Sequence, residues 1–138
     1  MAIGPSGLCI SYKAEILDGI HQAGDVYMIA LFTDASNISV NTAAYAPAGE
    51  SVGAGYVAGG LALAGRTVTV VGDVAFVDFA DPAWPNITLA AQGALIYNAT
   101  RANRAVAVIN FGGTVSSVGP YSVTFPAPGP ATALLRIK

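Results

Sequence analysis

The sequence predicts an all-β chain: an antiparallel β-sandwich, jelly-roll-like, of about eight strands with one short N-terminal helix. Three observations predict it. Short apolar runs recur between connections rich in the chain's 16 Gly and 8 Pro. No βα alternation calls for a parallel sheet. One pair of runs can be registered residue by residue, because Gly72-Asp73 is a two-residue loop whose first position suits a type II′ turn. That loop pairs Val71 with Val74, Thr69 with Phe76 and Thr67 with Asp78. It gathers Val68, Val70, Ala75, Val77 and Phe79 on one face, expected to point inward.

The other elements follow in order. Residues 1–11 carry Gly4, Pro5 and Gly7 and read as an arm that needs a neighbour to order it. With Ser11 as a cap, Tyr12, Ile16, Ile20 and Ala23 fall at helical spacing, so a helix is expected over Tyr12–Ala23, weakened at Gly19 and ended at Gly24. Val26–Phe32 is apolar on both alternating faces, which fits a central strand covered on both sides. The stretch from Thr33 to Gly53 is too long and polar for a tight turn and is a candidate interaction loop, with Tyr45 and Glu50 in it. Tyr56–Leu63 reads as a strand loosened by Gly59-Gly60, a place for a bulge or a close backbone approach.

Beyond the Gly72 hairpin, Asp81 to Pro85 is expected to be a loop, because each Pro removes a donor and restricts the residue before it. Residues 87–97 form one long strand interrupted near Gly93, and Asn98–Asn103 a turn. Ala105–Phe111 is a strand closed by Gly112-Gly113. Tyr121–Phe125 and Ala133–Ile137 supply the last two, separated by the proline-rich stretch 126–130.

At 138 residues the chain reads as a single domain, 1–138, of a size that buries roughly two-thirds of its unfolded surface. Charged residues are 10% of the total, against about 25% in an average domain. Six basic and eight acidic side chains cover a free surface thinly, so part of that surface is expected to meet another protein. A net charge of −2 without a basic patch argues against nucleic acid or an anionic membrane as partner. The N-terminal stretch lacks a basic start and an apolar core of signal-peptide type, and no run approaches the length of a membrane helix, so neither export nor membrane insertion is expected. The single Cys9 has no intrachain disulfide partner, in keeping with synthesis in a reducing compartment. Three glycosylation sequons, at Asn37, Asn86 and Asn98, have no secretory context and are read as chance.

Chemistry is sparse. His21 is the only histidine, so a conventional triad or a multi-histidine metal site would hang on it alone; a partly exposed helix histidine is the simpler reading. Cys9 has no base near it in sequence. Asp73, Asp78 and Asp81 separate along the hairpin and read as solvated charges. Gly53, Gly55, Gly59 and Gly60 do not match a dinucleotide-binding pattern. No catalytic, cofactor or metal site is therefore assigned. Trp84, between prolines, and Arg101 and Arg104, flanking a turn, join Tyr45 and Glu50 as candidate protein-interface residues.

Several stretches, SYKAEIL at 11–17, DVYMIALFT at 25–33, GYVAGG at 55–60, LAGRT at 63–67, ALIYN at 94–98 and AVAVINFG at 105–112, resemble small structural proteins of tailed bacteriophages. They are similar in particular to the capsid cement, or decoration, proteins of jelly-roll type, and the resemblance spans most of the chain. It implies a non-enzymatic protein of the virion's outer capsid surface, made in the host bacterial cytoplasm. Such a protein would bridge major capsid protein subunits and associate with itself as a homodimer or homotrimer. A tail or head-fibre module recognising host glycans through Trp84 and Tyr45 is the alternative.

Overall fold

The hairpin forms as its loop dictates. In the computed structural model, which describes residues 3–125 and 135–137, β4 (Thr67–Val71) pairs with β5 (Val74–Asp78) in the expected register, from Val71↔Val74 to Thr67↔Asp78. Gly72 takes φ +62° while Asp73 keeps a negative φ, the signature of type II′ rather than type I′. Burial does not follow the expected face: of that set Phe79 is buried, Ala75 and Val77 are half-buried, and β4 is exposed on both faces. Val74 and Phe76 are buried, whereas Val68 and Val70 are 56% and 68% exposed. Valines occupy both faces of β4, so alternation alone does not choose between them. The Val68 side instead looks onto a cavity of about 170 Å³ that it shares with Ala75, Val77 and the helix residues Tyr12 and Ile16.

The helix α1 spans Ile10–Leu17, shorter than the expected Tyr12–Ala23. Gly19, with φ +70°, is its terminator rather than a weak interior position. The Gly19 N–H donates to the Ile16 carbonyl at 3.0 Å and the Ile20 N–H to that of Glu15 at 3.0 Å, the paired bonds of a Schellman motif. Ser11 does not cap the helix. Cys9 holds the N-cap position without a side-chain bond, and the buried Ser11 hydroxyl lies inside the first turn with no partner.

The arm before α1 is held in place. Its strand β1 (Gly7–Leu8) pairs with Val108 and Ala107, Ile3 is buried, and the Asn110 amide donates to the Ile3 and Gly4 carbonyls at 3.0 and 3.1 Å. β2 (Tyr27–Phe32) is almost wholly buried and pairs on one side with six residues of the long strand β6 (Ala83–Asn98). Its other side meets the two-residue β3 (Leu61–Ala62) and, toward Phe32, the Glu50–Ser51 segment. Gly60 lies so near the Ile29 carbonyl that any Cβ on it would overlap that oxygen. This is the close approach expected of Gly59-Gly60.

β6 and β7 (Arg104–Ser122) form a hairpin of 16 and 19 residues that spans the sandwich. Two expected interruptions are absent. Trp84 and Pro85 belong to β6, and the register shifts between Trp84 and Ile87, so Pro85 falls in an irregularity where no ladder donor is required. β7 likewise runs through Gly112-Gly113 and takes in Tyr121. The break expected near Gly93 is present as a register shift between Ala91 and Gly93. β8 covers Leu135–Ile137; the first two positions of the expected last strand, and the proline stretch 126–130, fall outside the described residues.

Two antiparallel sheets result, β1-β7-β6-β2-β3 and β4-β5-β8, an all-β sandwich of about eight strands with one short helix. Its core runs from Ile29, Leu31 and Phe32 of β2 through Ala94, Leu95 and Ile96 of β6 to Val106 and Val108 of β7, with Phe79, Trp84 and Phe125 toward the other end. Among the described residues no helix is long and apolar enough to cross a membrane.

Candidate functional site

Most of the ionisable side chains singled out in the sequence are drawn into two internal polar clusters. The first lies where α1 and its following loop meet the turn between β6 and β7. Glu15, buried on the inner side of α1, accepts from His21 Nε2 at 2.8 Å and from Arg104 Nη1 at 2.8 Å. Asp25, just before β2, accepts from Arg101 Nε and Nη2 at 2.8 and 3.0 Å. Asn98, wholly buried at the end of β6, joins the two halves: its Nδ2 donates to Asp25 Oδ2 at 2.9 Å and lies 3.0 Å from His21 Nδ1. The Arg101 fork, aided by the Asn98 amide and the Gln22 N–H, holds the Asp25 carboxyl far below the usual carboxylate range against the opposing effect of burial.

His21 is therefore not a partly exposed helix residue. It sits beyond the helix end, its side chain 3% exposed, with its ring edge-on to Tyr12 at 4.7 Å between centroids. Burial, with the Glu15 charge adding to it, pushes the Cys9 thiol up to about 11, which keeps it in the unreactive thiol form. Burial likewise pushes the Tyr12 hydroxyl up to about 12.

The second cluster is built on Glu50. Its carboxylate accepts from Tyr45 and Tyr56 hydroxyls at 2.5 and 2.6 Å and from the Gly59 N–H at 2.8 Å. Tyr97 stacks on Tyr45 at 4.6 Å and 16° and donates to the Gly59 carbonyl at 2.6 Å. The Tyr56 hydroxyl also accepts the Leu31 N–H at 2.9 Å. Burial first, and then the Glu50 carboxylate, raise the ionisation of Tyr45 and Tyr56 well above that of a free phenol. Four of the five candidate interface residues thus converge at one end of the sandwich. Tyr45 and Glu50 share a hydrogen bond, and the Tyr45 N–H donates to the Asn103 carbonyl at 2.8 Å while Ala44 bridges Arg104. Trp84 stands apart, joined to that cluster through Tyr56.

No family model, no curated protein and no solved structure matches the chain. The site therefore rests on its own geometry. Trp84 is 5% exposed, packed between Tyr56 and Tyr121 at 6.2 and 6.0 Å, so it offers no ring face to a ligand. Arg101 and Arg104 pair with Asp25 and Glu15 of the same chain while their side chains stay 39% and 43% exposed, so each is anchored by an internal carboxylate and still reaches the surface. Among the described residues no three His, Cys, Asp or Glu side chains converge as a metal ion would require.

Sequence reasoning missed Asn98, Asp25 and Tyr97. The signal for Asn98 is its position closing an apolar strand, where a polar side chain needs internal partners. Asp25 becomes its neighbour only through the register that sets Tyr27 opposite Asn98. What the surface does offer is uncharged strand: Val68, Val70 and Val71 on β4, and Val115 and Val118 on β7, are exposed.

Proposed function

We propose that the chain is a structural virion protein, a capsid cement or decoration protein that stabilises a phage head by bridging major capsid protein subunits and that associates with itself. The observation that carries the reading is the division of labour among its side chains. The paired acids and bases are consumed inside the fold, while the exposed strands β4 and β7 carry valines. A protein that works by adhesion needs such surface, and apolar strand left exposed is the mark of an interaction site. The phage framework motifs of the sequence give this surface its proposed partner. The burial of Trp84 and the stacking of Tyr45 on Tyr97 favour this reading over the glycan-binding alternative.

The test is electron microscopy and heat stability of phage heads assembled with and without the protein. Density over capsid subunit junctions together with earlier rupture of heads lacking the protein is the expected result. Equal stability of the two preparations, or location of the protein in the tail, overturns the reading.

A further inference from the structure

Among the described residues the outer edge of β4 is unoccupied, and its register is self-complementary. Among the described residues β4 has β5 on one side and no strand on the other, and all five of its residues are exposed. The two-residue loop makes Val71–Val74 the closing hydrogen-bonded pair, so Thr69–Phe76 and Thr67–Asp78 are hydrogen-bonded too. In the intervening pairs, Val70–Ala75 and Val68–Val77, the N–H and C=O groups turn away from the partner strand. On β5 this alternation meets β8, with Ala75 opposite Ile137 and Val77 opposite Leu135. On β4 it leaves the backbone donors and acceptors of Val68 and Val70 facing outward.

Edge strands are normally blunted by a charge, a proline or a bulge. Thr67–Val71 has none of the three: its sequence is TVTVV and its register is unbroken. We propose that β4 pairs with β4 of a second copy, antiparallel about a two-fold axis at Thr69, so that two three-stranded sheets join into one of six strands. In that register Val68 and Val70 of one copy exchange backbone bonds with Val70 and Val68 of the other, and their exposed side chains lie side by side on one face. Charge biases the orientation. Arg66 precedes the strand and Asp73 follows it, so on the edge strand itself antiparallel pairing brings a positive end to a negative one and parallel pairing brings like ends together, an effect that Asp78, opposite Thr67 on β5, partly offsets. Arg66 keeps its guanidinium over the Tyr27 ring at 5.6 Å, so this contribution is a bias of orientation and not an ion pair. A five-residue pairing buries less than the roughly 1,200 Å² of a standard stable interface, so the dimer dissociates on dilution. The proposal gives a surface to the self-association in the reading above, and purified protein tests it without any capsid.

Sedimentation velocity of the full chain over a concentration series is the experiment, with circular dichroism as the control for folding. Val70→Pro removes one outward donor and leaves the Thr67, Thr69 and Val71 bonds to β5 intact. Val70→Lys places a charge on an already exposed side chain. The wild type is expected to show a reversible monomer–dimer equilibrium, and each folded variant to weaken it by at least about tenfold, or 1.4 kcal/mol. Val57→Lys, an equally exposed site in the loop before β3, leaves it unchanged. A wild type that is monomeric throughout, a trimer, or a dimer that persists in folded Val70→Lys overturns the proposal. If Val70→Pro fails to fold, Val70→Lys alone decides.

Discussion

Asn98 Nδ2 lies 3.0 Å from His21 Nδ1, and the surroundings of Asn98 decide which of the two donates. The Asn98 amide cannot be turned over, because its oxygen accepts the Thr100 N–H at 3.1 Å and its nitrogen faces Asp25 Oδ2 at 2.9 Å. His21 Nδ1 must then accept, and the proton of the neutral ring sits on Nε2, pointed at Glu15. Long-range proton–nitrogen NMR spectra are expected to show this tautomer. Asn98→Ala leaves Asp25, His21 and the Thr100 N–H each short of a partner and is expected to lower stability by about 1–3 kcal/mol or more. A urea midpoint equal to the wild type's contradicts that account.

Asp25 gives the fold an acid-sensitive clasp. Its carboxyl ionises in the folded chain well below its unfolded value of about 3.9. The resulting stabilisation is present above that value and is lost progressively as pH falls from about 4 toward the depressed folded value. Asp25→Asn is expected to lower stability at neutral pH and to flatten the fall between pH 5 and about pH 2. Urea midpoints at the two ends of that range measure the difference, and parallel curves for variant and wild type count against the clasp.

The Glu50 cluster acts at the opposite end of the pH scale. Tyr45 and Tyr56 ionise higher when folded than their unfolded value of about 10, so their contribution is complete below that pH and drains as pH rises beyond it. Phenolate absorbance is expected to show tyrosines that titrate only as the chain unfolds. Tyr56→Phe removes both a donor to Glu50 and the acceptor of the Leu31 N–H, so it is expected to cost about 1–3 kcal/mol and more than Tyr45→Phe. The reverse order in thermal melts rejects the assignment.

Two glycines should respond in opposite senses. Gly60→Ala drives a methyl group into the Ile29 carbonyl and is expected to cost at least about 1–3 kcal/mol. Gly113→Ala meets nothing within 4 Å and has a negative φ, so it is expected to gain about 0.4–1 kcal/mol by restricting the unfolded chain. Chemical denaturation of both variants checks the contrast.

How far the sequence was legible depends on whether the deciding interaction was local. The Gly72-Asp73 loop sets its own register, so the β4–β5 pairing could be read in full. That β4 is exposed on both faces while β5 buries Val74 and Phe76 depends on what packs across the sheet, which no local pattern states. Gly19 looked like a flaw in a longer helix, and only the chain's turn toward Glu15 and Ile16 makes it the terminator. The prolines around Trp84 looked like strand breakers because the register shift that accommodates Pro85 is a property of two strands. Tyr45 and Glu50 were visible as neighbours in one loop. Their partners Tyr56 and Tyr97, and the whole Asp25–Asn98–His21 chain, come from pairing between distant segments.

The β6–β7 hairpin has a consequence for the order in which the chain folds. Its strands are joined by the five residues Ala99–Asn103, so closing the loop at Asn98↔Arg104 costs little chain entropy compared with bringing β1 to β7 or β8 to β5. Pairing can advance from that turn like a zip, through the register shift between Tyr97 and Ile96, and the buried half nearest the turn, Gly93–Asn98 against Arg104–Asn110, is complete before the shift beyond Gly93 is reached. The arm and β2 then add to a template already in place. Pulse-labelling hydrogen exchange is expected to find the amides of Leu95–Tyr97 and Val106–Val108 protected first, and those of β1 and β8 last.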